Sequence, residues 1–271
     1  MTSREGDSPA SAPPHAPCVN RPIRGLPLGA APPGERHGPA AALCQGRRPA
    51  MRFPRALAVL GAVIVFAGCP DTTRTPFDPA DGFQPIEPCT AAFPPATAGD
   101  PHPEEIQIVS DWREGRLAYA HGAGYLHATL PEVLEALRDP RVSRIHQTDS
   151  WDVTPNVEPE YPISFSIRYA AGPAIYKGRW TILYRGGALL GTVEAPQQLG
   201  FRYQKVEGIE DIRVQSGSLV AYDAGDGVTA LELVCHLDTS SRADQGPEDV
   251  HGTVNDWFVG LRAKVHGAPV P

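Results

Sequence analysis

From Ile163 onward the chain alternates apolar and polar residues with a period of two, run after run, before ending on a period of 3.6. Ile163, Phe165, Ile167 and Tyr169 alternate with Ser164, Ser166 and Arg168. Trp180, Ile182 and Tyr184 alternate with Arg179, Thr181 and Leu183, and Phe201 and Tyr203 with Arg202 and Gln204. Ile212 and Val214 alternate with Arg213 and Gln215, and Leu231, Leu233, Cys235 and Leu237 with Glu232, Val234 and His236. Each run has a partly polar second face, which predicts an antiparallel sheet with one wet side. Gly186-Gly187 and Gly225-Asp226-Gly227 read as turns. No helical pattern intervenes, so the strands form a meander.

The last element reverses the period. Val250, Val254, Trp257, Phe258, Leu261 and Val265 fall on one helical stripe. Pro247, Glu248 and Asp249 suit the start of this helix; Arg262, Lys264 and His266 suit its end. Ahead of the strands, Thr129-Leu130-Pro131-Glu132 is a T-x-x-E capping box with Leu130, Val133, Leu134 and Leu137 on one face. Asp139-Pro140 ends that helix, and Val142–His146 predicts a second short one. Glu105–Val109 is a short apolar patch. Arg116–His127 reads as a strand, with Gly122 and Gly124 marking a bulge or bend.

The stretch Met51–Cys69, MRFPRALAVLGAVIVFAGC, fixes a location rather than a fold. Arg52 and Arg55 precede thirteen uncharged residues, Ala56–Gly68, and then a cysteine. This is the layout of a secretory signal, too short to span a bilayer. Phe66-Ala67-Gly68-Cys69 resembles a bacterial lipobox, with Phe66 where that family usually has Leu. The resemblance implies that Cys69 is acylated and becomes the mature N-terminus. The lack of an acid directly after Cys69 favours the outer membrane, with the domain facing the periplasm of the cell envelope. Residues 1–50 hold ten of the chain's thirty prolines and no apolar periodicity. Two readings stand for them: an over-extended start, with translation beginning at Met51, or a disordered extension.

Residues 1–68 carry eight arginines and three acids, so the remainder holds 16 basic and 28 acidic side chains, a net −12. Such a surface repels phosphate backbones, and nucleic acid is not an expected partner. Residues 69–103 contain nine prolines with few large apolar residues: Phe77, Phe83, Ile86 and Phe93. They read as an extended tether with polyproline character, part of which packs through those aromatics. Cys89 and Cys235 are open to a disulfide, or Cys235 is a buried small hydrophobe.

Strand, capped helix, antiparallel run and long C-terminal helix, with TLPEVLEALRDP early and IRVQSGSLVAYDAGDGVTALELVCHLDTSS before the last helix, resemble the START-like (SRPBCC, helix-grip) superfamily over about residues 104–268. The resemblance implies an α+β helix-grip fold: a curved antiparallel sheet wrapped around the long C-terminal helix, with one or two short N-terminal helices. It also implies an apolar cavity for a hydrophobic small molecule or lipid. Phe165, Ile167, Tyr169, Trp180, Ile182, Tyr184, Tyr203, Leu233, Trp257 and Phe258 are its expected lining; the same side chains could instead fill the core completely. Arg168, Arg179 and Arg213 fall on the wet side of the sheet.

No nucleophile elbow, P-loop, zinc-protease helix or C-x-x-C motif occurs in the chain. His121, His127 and His236 could supply zinc ligands, but no spacing fixes them, and neither a metal nor a cofactor is expected. Three functions remain open. The chain is a non-enzymatic lipoprotein that carries a hydrophobic ligand, an aromatase/cyclase-type enzyme, or a structural envelope protein with a filled core.

Overall fold

The computed structural model describes residues 72–113, 115–172, 177–240 and 245–271. Met1–Cys69, with the expected signal and the acylated cysteine, lies outside the described residues. Among the described residues, nine strands form one antiparallel sheet: β1 Thr72–Arg74, β2 Ile106–Trp112, β3 Ala118–Leu126, β4 Ser150–Pro155, β5 Ile163–Ala171, β6 Gly178–Gly191, β7 Pro196–Ile209, β8 Ile212–Gly225 and β9 Val228–Thr239. Their order is β2-β3-β9-β8-β7-β6-β5-β4, so β4 to β9 is the expected meander and the early hairpin closes onto its last strand. The helices are α1, Leu130–Leu137, and α2, Gly246–Val265. The sheet curves around α2, an α+β helix-grip arrangement. Neither helix is long and apolar enough to cross a membrane.

Helix α2 lies across β2, β3 and β9 and buries Val250, Val254, Trp257, Phe258 and Leu261. Each such side chain contributes roughly 2 kcal/mol of transfer free energy. Gly122 permits the close approach: a Cβ there would stand 2.6 Å from Val254. Strand β3 pairs in regular register on both sides, so its glycines mark packing and not the expected bulge. Gly186-Gly187 likewise lies inside β6 and turns nothing. A Cβ on Gly186 would meet the Phe201 ring at 2.6 Å.

Helix α1 begins where the sequence places it. The Glu132 carboxylate accepts from the Thr129 N–H at 2.8 Å and from its hydroxyl at 2.7 Å. The expected helix at Val142–His146 is a single 3-10 turn, Pro140–Ser143, started by Asp139 accepting from the Arg141 N–H. Strand β4 has no counterpart in the sequence reading. It is a sheet-edge strand, nearly all exposed, and needs no apolar alternation.

The proline-rich segment 72–103 lies on the outer face of the sheet. Strand β8 pairs with β7 only as far as Gln204↔Ser216. Strand β1 pairs with β7 further on, Thr72 opposite Ile209 and Arg74 opposite Glu207. Beyond it Phe77 is buried under Arg185 and Arg202. Arg185, wholly buried, donates to the Phe77 and Asp78 carbonyls at 3.0 and 2.9 Å and pairs with Glu158. The Ile86 N–H donates to the Ser218 hydroxyl, and Phe93 packs on Tyr125. An extended chain without its own ladder is thus tied down by side chains of the sheet it crosses.

Candidate functional site

The ten expected lining residues are all buried and belong to one core cluster. They pack against one another between sheet and helix. Phe165 stacks on Tyr184 at 4.8 Å between centroids, Tyr169 on Trp180 at 5.6 Å, and Tyr203 meets Trp257 at 5.0 Å. The tyrosine hydroxyls are satisfied inside this stack. Tyr169 and Tyr184 both donate to the Ser143 carbonyl at 3.2 Å, and Tyr203 donates to Cys235 Sγ at 3.0 Å. Burial pushes the phenols of Tyr184 and Tyr203 well above their usual range, so neither serves as a base near neutrality.

The open space is displaced toward one end of the sheet, where β5 ends, β6 begins and β7 turns into β8. There a cavity of about 290 Å³ is lined by Ile145, Trp180, Ile209, Ile212 and Leu237, with Gln147, Thr148, Asp211, Gln215, Thr239, Asp249 and Thr253 among its polar walls. Of the ten expected residues, Trp180 alone lines it. Two lining residues carry buried polar atoms without a protein partner, Trp180 Nε1 and Gln215 Oε1. Buried orphans of this kind cost about 1–3 kcal/mol each unless a water or ligand meets them.

The alternation predicts Gln215 outward, and the structure turns it inward. Ile212 faces Thr239 while Val214 faces Asp238, so Arg213 is an extra residue on β8. This bulge inverts the parity: Gln215 is 8% exposed and Val214 37% exposed. Strand β7 carries a second bulge at the same end, between the pairs Thr181↔Glu207 and Ile182↔Lys205. The Lys205 ammonium bridges the splayed strands, donating to the Ile209 carbonyl at 2.8 Å and the Ile212 carbonyl at 2.5 Å. Gly178 and Gly172 complete the rim, which a run of large side chains would close.

A second cluster lies on the outer face, under residues 87–90. Glu87 accepts from Arg113 through both oxygens, at 2.5 and 2.6 Å, and from His121 and His236 Nε2 at 2.6 and 3.1 Å. The ligand-capable atoms of Glu87, His121 and His236 lie within 4.8 Å of one another. The donors' chemistry argues against a metal. The Thr90 N–H donates to His121 Nδ1 at 2.9 Å, so that nitrogen is an acceptor and the neutral ring carries its proton on Nε2. A metal on Nε2 would need the opposite tautomer, and Arg113 would stand beside it. The cluster is a carboxylate clasp. Burial alone would raise the Glu87 carboxyl, but hydrogen bonds from Arg113, His236 and His121 overcome this and hold it at about 2. Burial keeps His236 below the usual histidine range against the pull of Glu87. His127 stands elsewhere, with Nε2 on the His102 carbonyl at 2.8 Å.

Cys89 and Cys235 are both free, so the disulfide considered from the sequence does not form. Cys89 Sγ lies 3.5 Å from the Gly122 carbonyl on the outer side, while Cys235 faces Tyr203 in the core. The sheet separates them. Arg168, Arg179 and Arg213 are exposed, as the alternation implied.

No family model matches the chain. No curated protein matches it. Among solved structures, the human StarD13 (DLC2) lipid transfer and protein localization domain is similar, with a TM-score of 0.40 and 12% identity over 61% of this chain and 85% of that one. A STAR-related lipid transfer protein from Xanthomonas axonopodis has a TM-score of 0.41 and 13% identity, covering 59% of this chain and 93% of its own. The Zhui aromatase/cyclase from Streptomyces sp. R1128 has a TM-score of 0.37 and 15% identity, covering 60% and 93%.

Proposed function

We propose that this domain binds a small hydrophobic molecule with one or two polar atoms, in the cavity between Trp180, Ile212 and Leu237. The supporting observation is the half-open space itself: about 290 Å³, with Ile145, Trp180, Ile209, Ile212 and Leu237 among its walls and unpartnered Trp180 Nε1 and Gln215 Oε1 on its lining residues. Apolar walls with a few polar groups are the common composition of ligand sites. The volume is that of about ten waters at ~30 Å³ each. A single ring system or one alkyl segment fits; a complete two-chain lipid does not without opening the core.

The test is to fill the mouth. Thr253 lines the cavity from α2 and is half-buried, so Thr253→Phe occupies the space without touching the aromatic core. The expected result is loss of binding of an environment-sensitive hydrophobic dye and of any co-purifying small molecule detected by mass spectrometry, with the unfolding midpoint retained. Equal dye binding by wild type and variant would refute the cavity as the site.

The same proposal places the chain in the cell envelope as a lipoprotein, anchored through acylated Cys69 and facing the periplasm, with the outer membrane as its seat. The lipobox-like Phe66-Ala67-Gly68-Cys69 supports this reading. Metabolic labelling with a fatty acid tests it: label is expected on wild type and absent from Cys69→Ala. Equal labelling of both, or of neither, would overturn it.

A further inference from the structure

We infer that the cavity opens onto the membrane itself, so that its ligand enters from the bilayer and not from water. The inference rests on the proposed acylation of Cys69 and adds the geometry. Thr72 is already paired with Ile209, at the tip of the β7–β8 hairpin. Ile209 lines the cavity. Pro70 and Asp71 alone separate the anchor cysteine from Thr72. Three residue steps reach at most about 11 Å at ~3.6 Å each. The headgroup layer on each side of the hydrocarbon is itself about 6 Å deep. An acylated Cys69 therefore keeps Thr72, and the hairpin tip paired with it, within about 11 Å of the headgroup layer.

The rim fits that placement. Ile212 and Leu237 are half-buried at this end, and Val214, thrown outward by the β8 bulge, is one of the exposed large apolar residues. The Lys205 ammonium binds the two lining carbonyls and Thr73 of β1, which ties the anchor-proximal strand to the rim. The opposite turns, 192–195 and 225–227, lie at the far ends of strands of 14 residues. At roughly 3.3 Å per residue they are about 40 Å from the mouth.

The experiment uses the acylated protein in phosphatidylcholine vesicles carrying brominated acyl chains. A fluorophore is placed at Glu210→Cys on the mouth turn or at Glu194→Cys on the far turn, both exposed, in a Cys89→Ser background. Strong quenching is expected at 210 and little at 194. Inserting twenty Gly/Ser residues after Asp71 lengthens the tether to about 25 Å root-mean-square. This should lower quenching at 210 several-fold and slow transfer of a hydrophobic dye from vesicle to protein by a similar factor. Equal quenching at the two sites, or a transfer rate indifferent to the insertion, would overturn the inference. Mass measurement of the acyl group and dye binding in detergent read the two underlying proposals separately. Loss of either overturns this one with it, by a different signal.

Discussion

Replacing Glu87 by Gln tests whether the outer-face clasp holds residues 72–103 to the sheet. The carboxylate accepts from Arg113, His121 and His236, and its pKa falls from an ordinary 4.5 to about 2. A shift of that size corresponds to about 3 kcal/mol at ~1.4 kcal/mol per unit. Arg113 is 37% exposed, so solvent screens part of it, and about 2 kcal/mol is the expected loss. A glutamine that keeps its oxygen toward His121 and His236 also turns its NH2 group toward the Arg113 guanidinium, donor against donor. The sign follows from a depressed carboxyl. Its contribution is whole above pH 4.5 and is lost as the pH falls toward 2. Asp139, held low by Arg141 and Lys264 against burial, titrates in the same acid range in both proteins. The informative quantity is therefore the difference between them. Urea unfolding at pH 5 and pH 3 should show a gap of about 2 kcal/mol that more than halves. A gap that is absent at pH 5, or as large at pH 3, would refute the assignment of Glu87 as the clasp.

Gly217→Ala should cost at least 2 kcal/mol, because the new Cβ would lie 2.3 Å from the Tyr203 ring and 2.4 Å from the Val234 carbonyl; thermal unfolding reads it as a fall of several degrees. Cys235, pushed up to about 12 by burial, should resist alkylation in the native protein at pH 8 and react fully in urea, with its peptide followed by mass spectrometry.

The periodic elements were legible because burial wrote them into the composition. The stripe Val250–Val265 and the alternating runs of β5, β6, β7 and β9 have one dry face each, and a period of 3.6 or 2 follows from geometry. Strand β4 was not legible because an edge strand exposed on both faces has no period to show. For residues 69–103 the sequence shows an extended tether with part of it packed through its aromatics, but not how much, because proline-rich extended chain looks the same whether it is solvated or laid across a sheet. What distinguishes the two is far away: Arg185, Ser218, His121 and His236 all reach it from strands more than 30 residues on. The cavity was legible only in part. The large aromatics pointed to a volume between sheet and helix, where they pack on one another in one buried cluster. The open part is made by what the sequence reading passed over, the glycines Gly172 and Gly178 and a polar Gln215 whose facing depends on one bulge. A glutamine four residues before Leu219, and so on the same face, was the available signal, and the alternation of Ile212 and Val214 hid it.

That bulge has a consequence for how the rim can vary. Arg213 and Val214 both stand outside opposite Asp238, while the residues flanking them, Ile212 and Gln215, both stand inside. One of the outer two is spare: excising it leaves a plain in-out-in ladder with the same side chains indoors. An indel here therefore straightens the strand without repainting the chamber, whereas the same excision within Leu219–Ala221 would turn much of the wall inside out. The lip of the vessel is where length is free to drift, and its lining is where it is not.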